Sequence, residues 1–128
     1  MHTYAIVIVE DNLAVQEALC DHLREQGFDV RGVDSGVALD AALAQASAHA
    51  LVLDLNLPGE DGHSIALRMR ARFPRMGILM LSAALAGAGA GARQPQVDVY
   101  LRKPAQAQAL TDALRALCEA GSALATRR

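Results

Sequence analysis

Apolar positions fall along this chain in two alternating patterns. Short unbroken apolar runs occur at Ala5–Val9, Ala50–Leu53 and Met76–Leu81, with further strand-like stretches at Phe28–Val33 and at Val97–Leu101, the latter broken by Asp98. Runs of this length, rich in β-branched residues, predict strands buried on both faces, as in a parallel sheet. Between them, apolar residues recur at helical spacing. Val15, Leu19 and Leu23 mark a helix over Leu13–Gln26 that Gly27 stops; Leu39 and Leu43 follow a capping Ser35; Ile65 and Met69 follow a capping Asp61 and end before Pro74; Leu110, Leu114 and Leu117 follow Pro104. Strands alternating with helices predict one α/β domain, a parallel sheet with right-handed crossovers and helices on both faces.

One stretch departs from the pattern. Ala83–Gln96 (AALAGAGAGARQPQ) stands where a helix is due, yet it alternates Gly with Ala and has no large apolar residue beyond Leu85. Each Gly costs a helix about 0.5–1 kcal/mol relative to Ala, so a short, frayed or mobile element is expected over 84–96. The domain is expected over 1–120, with 121–128 a flexible tail or the start of a linker.

Composition narrows the function. The chain has 128 residues, 52% hydrophobic, the size of one ordinary domain with a full core. A net charge of −2 gives no general attraction to nucleic acid or acidic membrane. No apolar run approaches the roughly 20 residues of a membrane span. Cys20 and Cys118 form no CxxC pair and read as helix packing in a reduced, cytoplasmic setting. His2, His22, His49 and His63 are too scattered for a metal site, and Arg68, Arg70 and Arg72 read as a solvated basic stretch.

The chemistry gathers at strand ends. In open parallel sheets the working crevice lies beyond the carboxyl ends of the strands. The first strand ends at Glu10–Asp11, the third at Asp54, the fourth at Ser82, the fifth at Arg102–Lys103. Each alone has a plain explanation as a solvated or capping residue. Together they put three carboxylates, a hydroxyl and an ammonium on one rim. Lys103 is the single lysine among twelve basic residues, so a compact point charge is retained there. Three hard oxygen donors suit Mg²⁺, and the set fits a phosphoryl group accepted on a carboxylate. No GxxxxGK[ST] or GxGxxG loop marks a nucleotide site.

The segments IVIVEDN (6–12), LVLDLNLPGEDG (51–62), MLSA (80–83) and VYLRKP (99–104) resemble, in order and spacing, the receiver domain of bacterial two-component response regulators. The resemblance runs from about residue 4 to 118. It implies a doubly wound, flavodoxin-like sheet in strand order 2-1-3-4-5. It implies Asp54 as phosphoacceptor, Mg²⁺ held by Glu10, Asp11, Asp54 and the Asn56 backbone carbonyl, Ser82 and Lys103 binding the phosphoryl group, and Ser82 and Tyr100 as switch residues. The implied partners are a histidine kinase or phosphotransfer protein, with a homodimer through the fourth-helix, fifth-strand and fifth-helix face, and no direct contact with nucleic acid or membrane. The implied role is a phosphoacceptor switch, promoting only its own phosphorylation and dephosphorylation. Two other readings stand beside it: a receiver-fold interaction module independent of phosphorylation, and a small Mg²⁺-dependent phosphatase of the haloacid dehalogenase type. The latter needs a second Asp two residues after the nucleophile, where this chain has Asn56.

Overall fold

The computed structural model describes residues 3–83 and 94–126, with side chains to 121. Five strands, β1 (Ala5–Val9), β2 (Asp29–Val33), β3 (Ala50–Asp54), β4 (Gly77–Ser82) and β5 (Val99–Arg102), form one parallel sheet in the order β2-β1-β3-β4-β5. Among the described residues the helices are α1 (Leu13–Glu25), α2 (Gly36–Gln45), α3 (Gly62–Arg72) and α4 (Ala107–Thr126).

Alternation along the strands feeds two cores. Val7, Val9, Leu51, Leu53, Ile78 and Met80 face α2 and α3, packing on Leu39, Ile65 and Met69. Ile6, Ile8, Val52, Leu79 and Leu81 face α1 and α4, packing on Leu23, Leu110 and Leu114. Burying each such side chain contributes about 1.5–3 kcal/mol, so the central strands anchor the domain. Cys20 and Cys118 lie in the second core, and burial pushes the Cys118 thiol up to about 12. It packs as a small hydrophobe.

The helix starts follow local chemistry. Asn12, Ser35 and Asp61 sit in extended backbone, and their side chains accept the N–H of Val15, Ala38 and Ser64. Each satisfies a donor that the first helical turn leaves free.

Two expectations need correction. Val15 is exposed, and the buried stripe of α1 is Cys20 and Leu23 with Leu19 beside them. Successive i+4 steps advance about 40° around a helix, so a run of such steps leaves the core face. Arg68 and Arg70 are not a solvated stretch. Arg68 Nε and Nη2 each donate to Glu60 at 2.8 Å and Nη1 to Asp40 at 2.7 Å. Arg70 donates to Asp98 at 2.7 Å and to the carbonyls of Gln96, Pro74 and Met76. The last helix, α4, runs to Thr126. Most of the Gly-Ala stretch, 84–93, falls outside the described residues; within the remainder, Gln96 is buried and Gln94 N–H donates to the Tyr100 hydroxyl at 2.9 Å.

Candidate functional site

Because every strand runs the same way, all five carboxyl ends meet at one edge. Glu10 follows β1, Asp54 closes β3, Ser82 closes β4, and Lys103 follows β5. Asp54 pairs with Leu81 in the β3–β4 ladder and Ser82 with Arg102 in the β4–β5 ladder. Lys103 N–H donates to the Ser82 carbonyl at 2.8 Å, carrying the order of the sheet into the residue that bears the ammonium. The next peptide, Lys103–Pro104, is cis.

Asp54 is 4% exposed and Glu10 2% exposed. Two carboxylates at that depth need partners. Lys103 Nζ supplies them, donating to Asp54 Oδ2 at 3.0 Å and to Glu10 Oε1 at 3.3 Å. The other oxygens accept backbone donors: Asn56 N–H reaches Asp54 Oδ1 at 3.1 Å, and Asn12 N–H reaches Glu10 Oε2 at 3.1 Å. Burial raises the Glu10 carboxyl above its ordinary range against the Asn12 hydrogen bond, and the Asp54 charge pushes the same way. For Lys103 burial favours the neutral amine, but the hydrogen bond and charge of Asp54, with those of Glu10, outweigh it and raise the ammonium's pKa. The cation on this rim is therefore held charged by the acids it neutralises.

Asp11 is exposed beside this pair, and one carboxylate oxygen from each of Glu10, Asp11 and Asp54 falls within 4.8 Å of the others. An all-oxygen, all-anionic donor set of this span fits a hard divalent cation. One ammonium against three acids leaves negative charge in excess, the condition under which such a cation binds.

The loop after Asp54 is fixed from both ends. Gly62 N–H donates to the Leu55 carbonyl at 2.9 Å. A Cβ at Gly62 would lie 2.6 Å from the Asp54 carbonyl oxygen and 2.8 Å from Leu55 Cα, so only glycine lets α3 start this close beneath the acid. Glu60 is clamped by Arg68 and accepts Ser64 Oγ–H at 3.1 Å; the Arg68 hydrogen bonds hold its carboxyl below the usual range. Sequence reasoning passed over this clamp. Its signal was an acid in the loop and an arginine two turns into the following helix, with Asp40 supplied by α2.

Of the residues singled out in the sequence, the structure brings Glu10, Asp11, Asp54 and Lys103 together. Asn56 is exposed on the adjoining loop, and Ser82 is buried at its strand end. Tyr100 is buried in the α2–α3 core, its hydroxyl 2.7 Å from His63 Nε2, so this histidine has a structural partner that sequence did not reveal.

Comparison with known proteins follows the same lines. The model of the response regulator receiver domain family matches residues 6–115. The chain is 38% identical over 109 residues to the response regulator protein FleR of Pseudomonas aeruginosa, covering 84% of this chain and 23% of FleR. It is 34% identical over 116 residues to the transcriptional regulatory protein GltR of the same organism, covering 88% of this chain and 48% of GltR. The chain thus spans half or less of these two relatives. Among solved structures, the response regulator receiver domain from Methylobacillus flagellatus superposes with a TM-score of 0.80 at 25% identity, covering 91% of this chain and 99% of that one.

Proposed function

Given that this chain belongs to the response regulator receiver domain family of two-component signalling, we propose that it is a switch that accepts a phosphoryl group on Asp54 from a histidine kinase or phosphotransfer protein. The observation that carries this reading is the buried Asp54 carboxylate, with Lys103 Nζ at 3.0 Å and two further carboxylates within 4.8 Å.

In this reading an Asp54 carboxylate oxygen attacks phosphorus. A new O–P bond forms as the P–N bond to the donor's phosphohistidine breaks, and the departing imidazole takes a proton from solvent. The Asn56 N–H on Asp54 Oδ1 fixes the orientation of the carboxylate. Lys103, already beside Oδ2, meets the negative charge of the arriving phosphoryl oxygens, and the Ser82 hydroxyl donates to one of them. Glu10, Asp11, Asp54 and the Asn56 carbonyl would hold Mg²⁺, which when bound offsets phosphoryl charge. A phosphoryl group on Asp54 competes for the Lys103 ammonium, and Ser82, at the end of β4, and Tyr100, within β5, respond. A partner then reads the changed surface. The chain acts as a cytoplasmic signalling module.

Incubation with Mg²⁺ and acetyl phosphate tests this directly. One acid-stable, base-labile phosphoryl group is expected on the wild type and none on Asp54→Asn. Wild-type labelling of Asp54→Asn overturns the assignment.

A further inference from the structure

The acid pair sits on a turn that needs its own support. Glu10, Asp11 and Asn12 link the end of β1 to α1. Side chains on such a turn are only as well placed as its peptide planes. One residue holds two of those planes. Gln16, on the first turn of α1, donates from its backbone N–H to the Asn12 carbonyl at 2.9 Å. Its side-chain amide donates to the Glu10 carbonyl at 2.9 Å and to the Val33 carbonyl at 2.9 Å. Both side-chain partners are acceptors, so the amide orientation is fixed with Nε2 toward them. Val33 closes β2, and its carbonyl also takes the Glu10 N–H at 2.9 Å. The Glu10 peptide is thereby tied on both sides to the end of the neighbouring strand.

A second feature makes room for this. Gly32 is packed against the Gln16 side chain, and a Cβ there would lie 2.8 Å from both its Cγ and its Cδ. What such a Cβ meets is a movable side chain, so alanine would displace the amide and leave the strands paired. Helix, strand end and glycine therefore converge on one carboxamide.

We infer that Gln16, seated on Gly32, is the positioning residue of the Glu10–Asp11 turn and sets how well these carboxylates take up a divalent cation. The inference rests on the Mg²⁺ reading of the site. It assigns Gln16 no contact with metal or phosphoryl group. Outer hydrogen-bond partners of metal ligands commonly carry about 10–100-fold in metal affinity, and Gln16 acts one peptide removed, so the lower end applies.

The test uses Gln16→Met, which keeps length and loses both side-chain donors, and Gly32→Ala, which keeps the amide and takes its seat. Calorimetric titration with MgCl₂ is expected to show affinity weakened roughly tenfold in each variant. In the double variant the loss should be no greater than in the worse single one, because both remove the same placement. Phosphorylation by acetyl phosphate should need correspondingly more Mg²⁺ for half its maximal rate and recover at saturation. Without metal, exchange of the Asn12 amide hydrogen should accelerate in both variants. Wild-type Mg²⁺ affinity and Asn12 exchange in folded Gly32→Ala overturn the inference, whether or not Gln16→Met folds. A wild-type protein that binds no Mg²⁺ instead overturns the metal reading; Asn12 exchange then still reports whether Gln16 holds the turn.

Discussion

The two ends of the sheet are built from the same kinds of residue and treat charge in opposite ways. At the amino end of the strands, Arg70 faces Asp98 at 2.7 Å and three backbone carbonyls, and Asp98 also accepts the Ile78 N–H at 2.8 Å. Cation, anion and peptide groups there satisfy one another. At the carboxyl end, Glu10 and Asp54 share one ammonium and a third carboxylate, Asp11, lies beside them with none of its own. Charge left over at one end and neutralised at the other separates a surface built to receive something from one built to stay closed. The local sequences do not announce the difference; the positions of their partners do.

Breaking the closed end should give the largest change. Arg70→Met leaves Asp98 without its cation and removes the Arg70 donor from three carbonyls, and a loss of about 1–3 kcal/mol in chemical denaturation is expected. The fraction of folded protein labelled by acetyl phosphate should stay the same; a selective loss of labelling would mean the two ends are coupled. At the open end the sign reverses. A carboxyl with a raised folded-state pKa favours folding at low pH and loses that contribution as pH rises, so ionised Glu10 opposes folding at neutral pH. Glu10→Gln should stabilise the metal-free protein at pH 7 by on the order of 1 kcal/mol while weakening Mg²⁺ uptake. Parallel melts with and without Mg²⁺ check both halves, and destabilisation without metal would refute the charge argument. The smallest effect concerns Glu60, on the loop that follows β3 at the carboxyl end. Its lowered pKa contributes stability above its ordinary value of 4.5, lost as pH falls through the folded value. Glu60→Gln should cost about 0.5–1 kcal/mol at pH 7, and acid titration should show the gap to wild type narrowing below that value.

Much of this was legible in the sequence because parallel sheets simplify two problems at once. Strands such as Ala5–Val9 are buried on both faces, so they read as unbroken apolar runs, and one common edge collects every strand end. Ser35 and Asp61 were legible as caps because capping is a matter of three or four consecutive residues. What escaped depends on partners far away in sequence. Arg70 and Asp98 are 28 positions apart, and so are Arg68 and Asp40. No local pattern distinguishes such an arginine from a solvated one. Val15 failed differently: its spacing is helical, but which stripe faces the sheet is decided by packing. Gln16 carried no signal at all, since an exposed helix face and a carbonyl clamp both accept glutamine.

The Tyr100–His63 contact has an optical consequence. The chain has no tryptophan and two tyrosines, so tyrosine emission is not drained by energy transfer to an indole. Each tyrosine also stands edge-on to an imidazole, Tyr4 to His49 and Tyr100 to His63. Tyr4 precedes β1 at the amino end of the sheet, while Tyr100 lies in β5, three residues before Lys103. With Tyr4 replaced by phenylalanine, the protein carries a single tyrosine, on the strand that leads to Lys103, and its own light reports on that strand with no dye attached.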